Sequence, residues 1–150
     1  MKTYRLEREQ RLDQPIDDVF AFFSRAGNLE RITPSWLSFE VLTPEPLDMH
    51  VGTLIEYRLR VHRIPLRWVS RIEAWEPERS FVDRQVRGPY RMWHHRHSFE
   101  ASGDGVIVRD AVDYALPLGP LGALAHRLFV RRDVERIFAY RRRAVERLLA

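Results

Sequence analysis

Residues 91–116 read RMWHHRHSFEASGDGVIVRDAVDYAL, and this stretch decides the fold. Apolar and polar side chains alternate through both halves, and Ser102-Gly103-Asp104-Gly105 at the centre is turn chemistry. The reading is a β-hairpin. With Ala101 opposite Val106, Phe99 faces Val108, His97 faces Asp110, His95 faces Val112 and Trp93 faces Tyr114. A bulged turn at Gly88-Pro89 carries the ladder upstream, setting Gln85 opposite Trp93 and Asp83 opposite His95. One face then holds Phe81, Asp83, Gln85, Trp93, His95, His97, Phe99, Val108, Asp110, Val112 and Tyr114. The other holds Val82, Arg84, His94, Arg96, Ser98, Arg109 and Asp113, which suits water.

The same period of two extends outward. It predicts strands over residues 3–12, 38–42, 53–61, 66–75, 81–86, 91–101 and 106–116, with breaks at Pro44-Glu45-Pro46, Arg63-Ile64-Pro65, Glu76-Pro77-Glu78 and Gly88-Pro89. Short connections in a row make antiparallel neighbours. Between the first two strands, Ile16, Val19, Phe20 and Phe23 fall at helical spacing behind Pro15, with Asp17 and Asp18 at the positive end. Gly27 stops that helix, and residues 28–32 form a second short one. After Pro117 and Pro120 a helix can run to Leu149. Its apolar residues define two stripes, Leu121/Leu124/Leu128 and Val134/Ile137/Phe138/Val145/Leu148, rotated by roughly a quarter turn or more. Either the helix bends near residues 129–132 or a separate short helix precedes it. The expected fold class is α+β: a seven-stranded curved antiparallel sheet wrapped around a long C-terminal helix, with two short helices after strand 1.

At 150 residues, 45% hydrophobic and 31% charged, the chain suits one domain over 1–150, with enough apolar content for a core. It has no run long enough to span a bilayer and no cysteine for disulfides or thiolate chemistry. The start resembles a strand rather than a signal peptide, and the expected location is the cytoplasm. Residues 120–150 hold eight arginines against three acids, the source of the net charge of +4. Helix spacing pairs Arg131 and Arg132 with Glu135, and Arg142 with Glu146. Charge so absorbed argues against nucleic acid as a partner; transient contact with a membrane surface stays open.

Buried carboxylates need partners, and His95 and His97 stand ready for Asp83 and Asp110. Either the four form a self-contained structural network, or they orient the polar end of a bound apolar molecule. Two histidines and a carboxylate could also hold a metal, but a ladder that gives each histidine its own aspartate separates the ligands. No metal and no cofactor are expected. No G-x-S-x-G, P-loop or G-x-G-x-x-G pattern exists. Arg141 falls within the second helical stripe, as a snorkelling side chain or as an anchor for an acidic ligand group.

The chain resembles the SRPBCC or START-like superfamily, which includes the birch-pollen allergen, polyketide cyclases and coenzyme Q-binding START-like proteins. The resemblance rests on Pro15-Ile16-Asp17-Asp18-Val19-Phe20-Ala21-Phe22-Phe23 with Asn28-Leu29-Glu30, on Gly52-Thr53, and on Trp75-Glu76-Pro77 followed by Phe81-Val82-Asp83. It implies a helix-grip fold with a hydrophobic-ligand cavity between sheet and long helix, and it implies no particular reaction. The expected ligand is a small hydrophobic or amphipathic molecule of lipid, quinone or polyketide type. Its expected contacts are Tyr57, Leu59, Trp68, Phe81, Trp93 and Tyr114 as wall, and Asp83, Gln85, His95, His97, Asp110 and Arg141 as polar contacts. The alternative is an aromatase/cyclase-like enzyme in which a His/Asp pair moves a proton.

Overall fold

A computed structural model of the chain describes residues 1–149. Strand β1 (Tyr4–Leu12) leads into helix α1 (Ile16–Ser24) and two 3₁₀ turns, Ala26–Arg31 and Ser35–Leu37. Then come β2 (Glu40–Val41), β3 (Leu54–Val61), β4 (Ile64–Glu76), β5 (Ser80–Arg87), β6 (Met92–Ser102) and β7 (Gly105–Ala115). The strands form one antiparallel sheet in the order β1-β7-β6-β5-β4-β3-β2. A helical run closes the chain: α2 (Pro120–Ala125), one π turn (His126–Val130) and α3 (Arg131–Leu149). This is the expected α+β helix-grip architecture.

The β6–β7 ladder has the register its sequence predicts, from Trp93↔Tyr114 to Ala101↔Val106. Ser102 pairs with Gly105, so Gly103 and Asp104 alone make the turn, and Gly103 takes φ +60° without a Cβ clash. The β3–β4 turn lies one residue earlier than the predicted break. Val61 pairs with Ile64, leaving His62 and Arg63 as the turn, both with positive φ. Pro65 therefore sits inside a strand, opposite Arg60. It is tolerated because β5 reaches only Arg87, opposite Val69, so Pro65 has no ladder on its other side.

The β5–β6 ladder includes Asp83↔His95 but ends at Arg84↔His94. The predicted Gln85–Trp93 pair does not form, because the Gln85 amide clamps the following loop. Its Nε2 donates to the Tyr90 carbonyl at 2.7 Å, and its Oε1 accepts from the Tyr90 N–H at 3.1 Å. Val82 on the outer face is buried rather than wet.

Three apolar clusters lie between sheet and helices. Phe20, Phe23, Phe81, Phe99, Val108 and Val145 fill the end beneath α1. Leu6, Val112, Tyr114, Val134 and Phe138 join β1 and β7 to α3. Ala26, Ile55, Tyr57 and Ile72 form the third, at the β3–β4 side. Each large side chain so buried contributes about 1.5–3 kcal/mol. The C-terminal end of α3 is fastened to β1 by Gln10 Nε2 donating to the Arg142 carbonyl at 2.9 Å and by the Arg142 guanidinium on the Glu9 carbonyl at 2.5 Å. Arg142 is thus used here rather than on Glu146, whereas Arg131 pairs with Glu135 at 3.3 Å as its spacing predicts.

The two helical stripes have a different cause from a bend. Leu121, Leu124 and Leu128 are exposed, and the inward residues of that segment are Gly122 and His126. A Cβ on Gly122 would meet the Pro117 carbonyl oxygen at 2.2 Å, so only glycine lets α2 lie this close to the preceding loop. From Gly122 the inward line continues through His126, Val134, Phe138 and Val145. An uninterrupted α-helix would rotate Phe138 roughly 160° away from Gly122; the π turn absorbs one residue, about 100°, and keeps both on the sheet side.

Candidate functional site

The buried residues of the second and third clusters form separate groups. Between them lies a hollow of about 330 Å³, within the size range of small-molecule sites. Tyr57, Leu59 and Trp68 wall it from β3 and β4, and Trp93 from β6. Val134, Ile137 and Phe138 close it from α3, and Tyr90 from the β5–β6 loop. Trp68 and Trp93 meet edge to face at 5.3 Å, and Tyr90 packs on both. The Trp68 indole N–H donates to Ser70 Oγ at 3.0 Å, so this ring offers the hollow an apolar face with its polar atom satisfied.

One end of the hollow is polar. Asp83, His95, His97 and Arg141 line it. The two histidine rings stack at 3.7 Å, and each bonds the aspartate diagonal to it rather than the one opposite. His95 Nε2 meets Asp110 Oδ1 at 2.7 Å, and His97 Nε2 meets Asp83 Oδ2 at 2.6 Å. The pairing expected from the ladder is thus crossed. Directly opposed Cβ atoms stand about 4.5–5.5 Å apart, too near for an extended imidazole to present Nε2, and the diagonal spacing matches its reach.

Arg141 lies across the crossing. Its Nη2 is 3.5 Å from Asp110 Oδ1 and 3.4 Å from His97 Nδ1, and the guanidinium rests over the rings of Phe23 and Phe138. These contacts set the His97 tautomer: Nε2–H donates to Asp83 and Nδ1 accepts from Arg141. Burial, reinforced by neighbouring His95, pushes His97 down to about 4 despite Asp83. At neutral pH it is therefore uncharged. Burial pushes the Asp83 carboxyl up, but the His97 hydrogen bond and the surrounding positive charge together outweigh it and hold Asp83 below its ordinary value. Burial likewise opposes ionisation of Asp110, and Arg141 followed by His95 overcomes it, holding that carboxyl well down. Burial, with the Asp83 charge, raises the Tyr57 hydroxyl.

Of the expected contacts, Tyr57, Leu59, Trp68, Asp83, Trp93, His95, His97 and Arg141 line the hollow; Phe81, Gln85, Asp110 and Tyr114 do not. Phe81 stacks under His97 at 4.1 Å, inside the first cluster. Gln85 is committed to its loop clamp. Asp110 lies behind the histidines, beside a separate void of about 20 Å³. The Tyr114 hydroxyl is engaged by His126 Nε2 at 2.8 Å, beneath the π turn. Leu29, Phe39 and Tyr90 are wall residues that the sequence reading missed, because they sit in turns and loops without periodicity. Val134, Ile137 and Phe138 carried a signal, their helical stripe.

Asp83, His95 and His97 each bring one ligand atom within 4.8 Å of the others, so the ladder does not separate them as expected. The stacked imidazoles nevertheless aim Nε2 to opposite sides of β6, His95 toward Asp110 on β7 and His97 toward Asp83 on β5, and the Arg141 cation is adjacent. That arrangement suits proton sharing better than metal ligation.

Residues 12–139 match the family described as polyketide cyclase / dehydrase and lipid transport. The chain belongs to this family. Its place in the SRPBCC superfamily agrees with the resemblance carried by its motifs. The chain shares its fold with several solved structures. A protein from Thermus thermophilus is 18% identical, with a TM-score of 0.70 over 98% of this chain and 100% of the other. Norcoclaurine synthase from Thalictrum flavum, a point mutant with a transition-state analogue, is 14% identical, with a TM-score of 0.70 over 99% and 94%. Major latex-like protein 151 from Panax ginseng is 19% identical, with a TM-score of 0.60 over 89% and 96%. At these identities the likeness is one of fold. No curated protein matches the chain.

Proposed function

We propose that the protein binds a small amphipathic molecule in the hollow between sheet and α3, its apolar body against Trp68, Trp93 and Phe138 and a hydroxyl at Asp83. One observation carries this reading: an apolar hollow ends at a carboxylate with a free accepting oxygen. Asp83 spends Oδ2 on His97, and Oδ1 has no hydrogen-bond partner among the described residues. Because the carboxyl is held ionised, the group it takes is a donor, such as a phenol, enol or alcohol. The family description, with its polyketide and lipid chemistry, agrees with a largely apolar guest.

The test is native mass spectrometry and tryptophan emission with pairs of apolar phenols or long-chain alcohols and their O-methyl ethers. The hydroxyl forms should bind and perturb emission, and the ethers should bind ~10-fold or more weaker, the worth of a hydrogen bond to a charged acceptor. Equal retention of both forms, or retention of neither, overturns the reading.

A further inference from the structure

We propose that α2 and the π turn form a docking surface for an anionic lipid bilayer, placed beside the entrance to the hollow. A monomeric protein rarely leaves several large apolar side chains exposed together. Here Leu118, Leu121, Leu124, Leu128 and Phe129 are all exposed within twelve residues of chain, Leu118 and Leu121 by 72% and 67%. Ile64, exposed by 61%, joins them from the β3–β4 turn: the neighbouring His62 ring contacts Phe129 at 6.0 Å, and His62 Nε2 meets Asp133 at 2.6 Å.

Charge selects the occupant. No acidic residue occurs between Asp113 and Asp133, and the segment carries Arg127, Arg131 and Arg132. Arg131 is paired with Glu135, but Arg127 and Arg132 make no ion pair among the described residues. Apolar side chains beside unpaired arginines match a surface that offers acyl chains beneath anionic headgroups. A water-soluble partner protein would not require that combination. The location fits as well. Leu116, Val130 and Leu66 line the hollow, and each stands one or two residues from Leu118, Phe129 and Ile64 respectively. A guest leaving a bilayer at this face would enter without crossing water.

The surface does not depend on which guest the hollow takes, so the two proposals fail separately. The full chain is floated with vesicles of phosphatidylcholine containing phosphatidylglycerol, and with phosphatidylcholine alone. Binding is expected to the anionic vesicles and to fall with added salt. Leu121→Glu with Leu128→Glu should abolish it, and Arg127→Gln or Arg132→Gln should each weaken it ~5-fold. Circular dichroism and the pH dependence of thermal melting should match wild type, because none of these four side chains touches the core. Absence of flotation at low salt overturns the proposal. So does undiminished binding by the Leu→Glu pair, or a wild-type dimer in sedimentation that this pair dissociates.

Discussion

His97 is held between a carboxylate and a guanidinium, and its protonation works against the fold. In the folded protein it titrates at about 4, against 6.5 for an unperturbed imidazole. Between those values the unfolded chain binds more protons, so stability falls as pH drops, by at most about 1.4 kcal/mol per pH unit. Above about 6.5 the contribution is complete. Asp83 and Asp110, both held below the ordinary carboxylate value, extend the loss to lower pH in the same direction. Thermal melts from pH 7 to 4.5 should show a falling midpoint, and His97→Gln should flatten that slope while lowering the midpoint at pH 7. A wild-type midpoint indifferent to pH over this range would contradict the assignment. The residues of this network were legible in the sequence, because a period of two states which side chains share a face. Their crossed pairing was not, because it depends on how far an imidazole reaches, and spacing along a strand does not encode that. Gln85 shows the same limit: alternation put it on the inner face, and a loop amide captured it.

The helical run illustrates what a stripe of leucines does and does not say. Its offset was visible as two rotated stripes, but a stripe alone does not say which side faces the sheet. In the structure the inward line of the first half is Gly122 and His126, a glycine chosen for closeness and a histidine bonded to Tyr114. Neither announces a buried face by hydropathy. The π turn that joins the halves holds one residue more than an α-helix needs, which sets up a distinctive expectation. Deleting Leu128, exposed and within that turn, should convert it to α-helix and leave α3 in place, with a stability loss of about 1 kcal/mol or less, the ordinary range for a surface change. Deleting Ala139, also exposed but in regular helix, should rotate everything beyond it by about 100° and cost several kcal/mol by pulling Val145 out of the core. Denaturant midpoints of the two deletions decide it, and equal losses would refute the compensating role of the turn.

At the scale of the whole molecule, strand number and the meander from β3 to β7 were readable because turn chemistry is local: Ser102-Gly103-Asp104-Gly105 specifies its hairpin without reference to anything distant, whereas no turn announces the pairing of β1 with β7. The division of the core was not readable. Whether Trp68 from β4 and Phe138 from α3 touch or stand apart depends on sheet curvature and helix placement together, and no window of sequence contains both. The hollow they flank opens to solvent and exists only in the folded chain. A molecule that binds the folded state and not the unfolded one raises the resistance to unfolding by any agent, hydrostatic pressure included. The ligand-free chain should therefore unfold at lower pressure than the same chain with its hollow occupied, by intrinsic fluorescence in a pressure cell. A guest that leaves the midpoint pressure unmoved is not sitting inside.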